Sequence, residues 1–183
     1  MDHEALIRRC QSGDGTAFAT LYQHYARKVY QTAYLIIGNR TVAEEVMQEA
    51  FAQTFRAIGS LREPAAFSTW LYRMVVRQAR RVAGREWAQH HLADVMTDEP
   101  TVVPDSQDRA VLRQVLWDAI GALPEQMRTV IVFYYYHDRS VAEIAALMEV
   151  PEGTVKSWLH RARTQLGRLI GEPAGVDGGE PHA

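Results

Sequence analysis

Helical periodicity constrains this chain more than any other feature. Apolar residues recur at three- and four-residue spacings along most of it, and strand-like alternation is scarce. The clearest case runs from about Thr16 to Ile37. There Phe18, Leu21, Tyr22, Tyr25, Val29, Tyr30, Ala33 and Ile36 or Ile37 fall on one stripe, the signature of a helix with a single buried face. A short helix, about Glu4 to Gln11, precedes it and ends at Ser12-Gly13-Asp14-Gly15. Gly38-Asn39 supplies a left-handed exit. Thr41-Val42-Ala43-Glu44 then reads as a capping box opening a third helix, which runs to about Ile58 and stops at Gly59. After a loop from Leu61 to Glu63, Pro64 suits the first turn of a fourth helix, continuing to about Glu86.

From Trp87 to Asp105 the periodicity fails. Asp94, Asp98, Glu99, Pro100 and Pro104 make this an acidic, flexible interdomain linker. Helices resume at about Ser106 to Ala122 and Pro124 to Tyr136. Ser140-Val141-Ala142-Glu143 forms a second capping box for a short helix to about Met148, Glu149-Val150-Pro151 turns, and a last helix covers about Glu152 to Ile170. Gly171, Gly175, Gly178, Gly179, Pro173 and Pro181 mark a tail expected to be disordered. The expected architecture is all-α. Two small helical domains, a four-helix amino-terminal one (1–87) and a helix-turn-helix carboxy-terminal one (106–170), are joined by the linker 88–105 and followed by the tail 171–183. A chain of 183 residues carries enough apolar material for a core in each.

Several function classes are disfavoured at once. A lone cysteine, Cys10, gives neither a disulfide framework nor a cysteine metal cluster and fits a reducing compartment. The acidic start Met1-Asp2-His3-Glu4 lacks the basic region and apolar stretch of a signal peptide. The longest apolar run, Val130 to Tyr136, is seven residues, far below the roughly 20 that span a bilayer. A cytoplasmic protein with no membrane insertion is expected. No Gly-rich phosphate loop, paired-histidine motif or nucleophile–base set is visible, so neither catalysis nor a cofactor is expected; His90-His91 in the linker reads as solvated rather than ligating.

The net charge of −2 conceals a segregated distribution. Arg56, Arg62, Arg73, Arg77, Arg80, Arg81 and Arg85 face only Glu63 and Glu86 between 56 and 88; the next stretch to 120 is acidic; and Lys156, Arg161, Arg163 and Arg168 meet no acid between 155 and 170. Solvated helix faces are one reading of such runs. The other is nucleic acid. A short helix, tight turn and longer basic helix follow the helix-turn-helix plan, although an ordinary antiparallel helix pair shows the same periodicity. Val141, Ile144, Ala145 and Met148 would face inward on the first helix, and Val155, Leu159, Ala162 and Leu166 on the second. Lys156, Ser157, His160, Arg161 and Thr164 then face outward, with side chains suited to phosphates and base edges in a major groove. The amide-rich start Glu152-Gly153-Thr154 can also receive a phosphate.

In the fourth helix Phe67, Leu71, Met74 or Val75, and Gln78 would face inward, leaving Arg73, Arg77 and Arg80 or Arg81 as an opposite stripe. Trp70 beside that stripe either packs in the core, as large aromatics usually do, or stacks on an unpaired base. The third helix presents Glu44, Glu45, Gln48, Glu49, Gln53 and Thr54 as an acidic and amide-rich face, with Val46, Met47, Ala50 and Phe51 behind or beside it. That face is either plain solvated surface or a seat for a basic protein.

On these residues the chain resembles the extracytoplasmic-function sigma factors, two-domain promoter-specificity subunits of bacterial RNA polymerase. The likeness covers about Glu4 to Ile170. It rests on Gly13-Asp14 before Ala17-Phe18 and Leu21-Tyr22, on the run Ala43 to Phe51, on Phe67-Ser68-Thr69-Trp70-Leu71-Tyr72-Arg73, on the run Leu123 to Arg128, and on Ala142-Glu143-Ile144-Ala145 with Gly153-Thr154-Val155-Lys156-Ser157, in that order. The resemblance implies that Glu44, Glu45, Gln48 and Glu49, with Phe51 and Thr54, dock on a coiled coil of the largest subunit of core RNA polymerase. It implies that the loop Leu61 to Ala66 and the helix to Arg81 recognise the promoter minus-ten element. Leu61, Arg62, Phe67, Trp70, Arg73, Arg77, Arg80 and Arg81 would carry this, taking a flipped base of the single-stranded non-template strand at an unstacking cost of a few kcal/mol. The last helix, through Gly153, Thr154, Lys156, Ser157, Trp158, His160 and Arg161, would read the minus-thirty-five element as duplex. The linker would thread toward the RNA exit path, and an anti-sigma factor is an implied further partner. The family often has Asn where Arg77 stands and a basic residue where Trp158 stands, leaving the indole to contact DNA or to pack against the neighbouring helix. The rival expectation is a conventional helix-turn-helix regulator binding duplex DNA without polymerase.

Overall fold

The computed structural model describes residues 3–86 and 115–170. The expected linker 88–105 and tail 171–183 lie outside the described residues. The architecture is all-helical: α1 His3–Gln11, α2 Gly15–Ile37, α3 Arg40–Ala57, α4 Phe67–Glu86, α5 from 115 to 121, α6 Glu125–Ile131, α7 Val141–Met148 and α8 Glu152–Leu169. Among the described residues no helix is long and apolar enough to cross a membrane.

Local chemistry sets the boundaries. Asp14 is extended and its carboxylate accepts from the amides of Thr16 and Ala17, satisfying two free donors at the start of α2. The Thr16 hydroxyl, which donates to the same carboxylate at 2.6 Å, then the Ala17 amide and the Arg9 guanidinium hold the Asp14 carboxyl well below the usual range. Gly38, at φ 79°, ends α2 in the left-handed conformation, its N–H donating to the Tyr34 carbonyl. The expected capping box at Thr41 does not form. Asn39, extended immediately after that reversal, caps α3 by accepting from the Val42 amide, so Thr41 already lies inside the helix. The second box is present: Ser140 Oγ accepts from the Glu143 amide, and the Glu143 carboxylate accepts from the Ser140 N–H.

Two further boundaries differ from the sequence expectation. Pro64 belongs to a separate tight turn, Pro64–Ala66, closed by a bond from the Ala66 amide to the Glu63 carbonyl; α4 begins at Phe67. The expected helix to Tyr136 leaves α-geometry at Ile131, and Val132–Tyr136 form a wider π-helical turn in which the His137 amide reaches the Val132 carbonyl. That turn stacks Phe133 on His137 at 4.9 Å between ring centroids and brings His137 within 4.5 Å of Tyr72 on α4.

The core follows the helical stripes. Leu21, Val29, Ala33 and Ile36 of α2 are buried against Ala43, Val46 and Ala50 of α3 and Phe67, Leu71 and Val75 of α4. Tyr22, expected in the α2 stripe, is 38% exposed. In the second half Leu123, Val130, Phe133, Ile144, Met148, Val155, Leu159 and Ala162 are buried. Ser140 and Glu149 bracket α7, and Glu149 takes the left-handed conformation (φ 59°), its N–H donating to the Ala145 carbonyl.

The two helical domains pack on one another. Their buried apolar residues form one continuous cluster, because α4 buries a second edge (Tyr72, Val76, Ala79) in addition to the expected Phe67, Leu71, Val75 and Gln78. Contacts across the seam include Tyr72 against Phe133, Thr32 Oγ1 with His137 Nε2 at 2.8 Å, and Tyr136 Oη donating to Gln31 at 2.7 Å. Burial, with Lys28 and Arg139 nearby, lowers the His137 pKa to about 4, so the ring is neutral in this seam at pH 7.

Candidate functional site

Three surfaces correspond to the residues singled out above. On α3, Glu44, Glu45 and Gln48 are exposed, and Gln48 Nε2 donates to Glu44 at 3.3 Å. Glu49 is half-buried and already engaged by Gln53 (3.0 Å) and Arg56 (3.1 Å). Phe51 and Thr54 do not share this surface. Both are buried, and the Thr54 hydroxyl donates to the Ala50 carbonyl. Aromatic side chains that the sequence reading did not assign to a site flank the acidic face. Phe55 is 59% exposed and packs edge-on to Phe18 at 5.0 Å, while Tyr22 lies 4.6 Å from Phe51. The signal was available: Phe55 follows Gln48 by seven residues, two helical turns along one face.

The second surface comprises the loop before α4 and the outer side of α4. Leu61 is buried, and its carbonyl and that of Ile58 accept from Gln11 Nε2, tying the loop to α1; Arg62 is exposed. Phe67 is fully buried among His3, Tyr25 and Trp70. Trp70 is half-buried, with its ring 6.1 Å from Phe67. The arginine stripe is occupied. Arg73 donates to the Ala146 carbonyl at 3.0 Å, Arg77 pairs with Glu149, and Arg80 donates to the Met148 carbonyl at 3.2 Å with Glu125 at 3.7 Å. Arg81 is exposed.

The energetics of this seam are mixed. Arg77 and Glu149 are more than half exposed, and such a pair contributes about 0–1 kcal/mol. Against that, Arg73 Nε and Arg128 Nε are buried with no hydrogen-bond partner among the described residues, each costing roughly 1–3 kcal/mol. Apolar contact such as Tyr72 on Phe133 must supply the net attraction.

The third surface is α8. Val155, Leu159 and Ala162 are buried, whereas Gly153, Lys156, Ser157, His160 and Arg161 are exposed and Thr154 is half-exposed. Trp158 is half-buried, with part of its indole packed on the core cluster and the rest open to solvent. A shallow depression of about 390 Å³ extends this face, lined by Met127, His160, Arg161, Thr164, Gln165 and Arg168. Among the described residues no group of three metal-ligating side chains stands together.

Comparison with known proteins decides the family. Residues 21–89 match the model of Sigma-70 region 2, and residues 113–166 match that of Sigma-70, region 4. The ECF RNA polymerase sigma factor SigW of Bacillus subtilis (strain 168) is 33% identical over 181 residues, covering 90% of this chain and 94% of that protein. This chain belongs to the ECF sigma factors. The ECF RNA polymerase sigma-E factor of Escherichia coli (strain K12) is likewise 33% identical, over 91% of this chain and 93% of its own. Two solved structures under 25% identical share the fold. One is CnrH in complex with the cytosolic domain of CnrY (TM-score 0.68, 22% identity, 92% of this chain and 97% of that one). The other is the sigma factor RpoE of Bartonella quintana in complex with the anti-sigma factor NepR (TM-score 0.66, 18% identity, 84% and 96%). As an ECF sigma factor the chain is a promoter-specificity subunit of RNA polymerase, a family without enzymatic activity, and the rival reading as a polymerase-independent regulator is not favoured.

Proposed function

We propose that the three surfaces divide the work of promoter selection. The face Glu44, Glu45 and Gln48, with Glu49 at its edge and exposed Phe55 and Tyr22 beside it, seats the sigma factor on a basic, partly apolar surface of core polymerase. Charges at the rim set orientation and speed of docking, and the aromatics supply area that loses water on contact. The loop through Arg62 and the stripe Arg73, Arg77, Arg80 and Arg81 hold the minus-ten element by its phosphates, with half-buried Trp70 beside them for an unpaired base. Leu61, Phe67, Phe51 and Thr54 serve these surfaces from the core. The exposed face of α8 reads the minus-thirty-five element in the major groove, with Lys156 and Arg161 as its cations and Gly153 and Thr154 offering amides to a phosphate. Trp158 braces α8 from within. Complexes with CnrY and NepR among fold relatives support an anti-sigma factor as a further partner. The chain works where polymerase works, in the cytoplasm.

The observation that carries this reading is the sorting of α8: Val155, Leu159 and Ala162 are buried while Lys156, Ser157, His160 and Arg161 are exposed on the opposite side. The test is transcription with purified core polymerase on a library of promoter fragments. Adding the chain is expected to produce discrete starts downstream of a shared pair of sequence elements. Starts indifferent to its addition overturn the proposal.

A further inference from the structure

We propose that His137 makes the attachment between the two helical domains sensitive to pH: a proton added at its Nδ1 puts a charge into an aromatic-walled site beside two fixed cations and drives the domains apart. Their packing is the starting point, and the inference concerns the proton. The link between the two promoter-reading domains thereby responds to acid.

The site is built around one hydroxyl. Thr32 of α2 is fully buried, and its Oγ1 lies 2.6 Å from the Lys28 carbonyl and 2.8 Å from His137 Nε2. A carbonyl oxygen only accepts, so the single Thr32 proton is committed to Lys28. Towards His137 the same oxygen accepts, and the neutral ring therefore carries its proton on Nε2. Charging the ring means protonating Nδ1. Its walls are Phe133, stacked at 4.9 Å, Tyr72 at 4.5 Å and Tyr136 at 5.1 Å. The backbone is fixed as well, since the His137 amide donates to the Val132 carbonyl and the Arg139 amide to that of Phe133. Charged and titratable neighbours come from every side. α2 contributes Lys28, with Arg27 near Tyr136, and holds no Asp or Glu along its length. α4 contributes Tyr72 and the π-turn Tyr136; burial pushes both hydroxyls up, so they stay neutral. The following loop adds exposed Asp138 and half-buried Arg139, whose guanidinium pairs with Glu143 of α7 at 2.6 Å. Lost hydration, then Lys28 and Arg139, disfavour the charged ring. Asp138 opposes them only through solvent.

In the packed form the ring takes up its proton at about pH 4, against about 6.5 for an imidazole in water. The packed form keeps its full advantage above about pH 6.5 and loses it progressively as pH falls from there toward 4, because the parted form binds the proton that the packed form refuses. Between pH 7.5 and 5.5 the ratio of parted to packed chain rises roughly tenfold. Amide hydrogen exchange on the full chain without core reads this ratio even when parting is rare. The amides at positions 137 and 139 lie in and after a π-turn shaped by packing on Tyr72. Corrected for the intrinsic exchange rate, their protection is expected to fall about tenfold over that interval. His137→Gln keeps a neutral donor for Thr32 and does not titrate, so its protection should be equal at both pH values. The other histidines titrate in both chains, and the comparison isolates position 137. Equal protection in the unaltered chain, or a loss that persists in His137→Gln, overturns the proposal. Histidine-labelled NMR of the unaltered chain gives a second reading that needs no variant. His137 should show the Nε2-protonated neutral tautomer at pH 7.5 and a midpoint about one unit or more below the ordinary value. An Nδ1-protonated tautomer or an ordinary midpoint also overturns it.

Discussion

Glu45→Lys is expected to weaken binding to core polymerase by about tenfold or more, with an unfolding midpoint close to that of the unaltered chain. Glu45 is exposed on α3, so reversal leaves the Val46, Met47 and Ala50 packing intact. Its effect should be largest at low salt and shrink as ions screen it. Glu49→Lys is a different experiment. Glu49 already accepts from Gln53 and Arg56, so a lysine there meets Arg56 directly and destabilises α3 as well as the interface. Phe55→Ala completes the set: at 59% exposure the ring contributes little to the fold beyond its edge contact with Phe18, and its removal should slow and weaken docking without salt dependence. Co-purification with core, followed by titration at two ionic strengths, checks all three. Undiminished affinity in Glu45→Lys and Phe55→Ala together would move the docking surface away from α3.

The second large effect lies on α8. Lys156→Ala and Arg161→Ala remove exposed cations from a helix whose inward residues are untouched, so the fold should hold while promoter use by the holoenzyme falls. The two substitutions should be distinguishable in kind. A cation that held a phosphate leaves every sequence bound more weakly when it is removed, and the slope of log affinity on log salt falls by about 1. A side chain that read a base edge relaxes one position of the minus-thirty-five element by about 1–3 kcal/mol and leaves the slope nearly unchanged. Competition between promoter variants at several salt concentrations separates these outcomes. Wild-type promoter preference and salt slope in both variants would take duplex reading away from this helix.

Much of the architecture was legible in the residues, and the misses have physical causes. Gly38 and the Ser140–Glu143 box behave as their chemistry dictates, because cap geometry is decided within one helical turn. Thr41 loses the amino terminus of α3 to Asn39, an equally good acceptor that stands nearer to the Gly38 reversal. The π-turn after Ile131 has no local signature; it follows from packing Phe133 and His137 against Tyr72. For the sites, family likeness locates positions without saying which way each side chain points. Phe51, Thr54, Leu61 and Phe67 sit within or beside the matching strings yet are buried, while exposed Phe55 lies just beyond one of them. The seam was invisible for a further reason. Two of its arginine contacts are to the main-chain oxygens of Ala146 and Met148, which no side-chain pattern encodes.

The central claim is that these surfaces select promoters as part of polymerase and not alone. The most direct measurement is the affinity of the full chain for a duplex carrying a promoter chosen by the library transcription, determined with and without purified core. Weak, salt-sensitive binding by the chain alone and tight, sequence-selective binding once core is added are the expected result. Equally tight and selective binding in both conditions would contradict it.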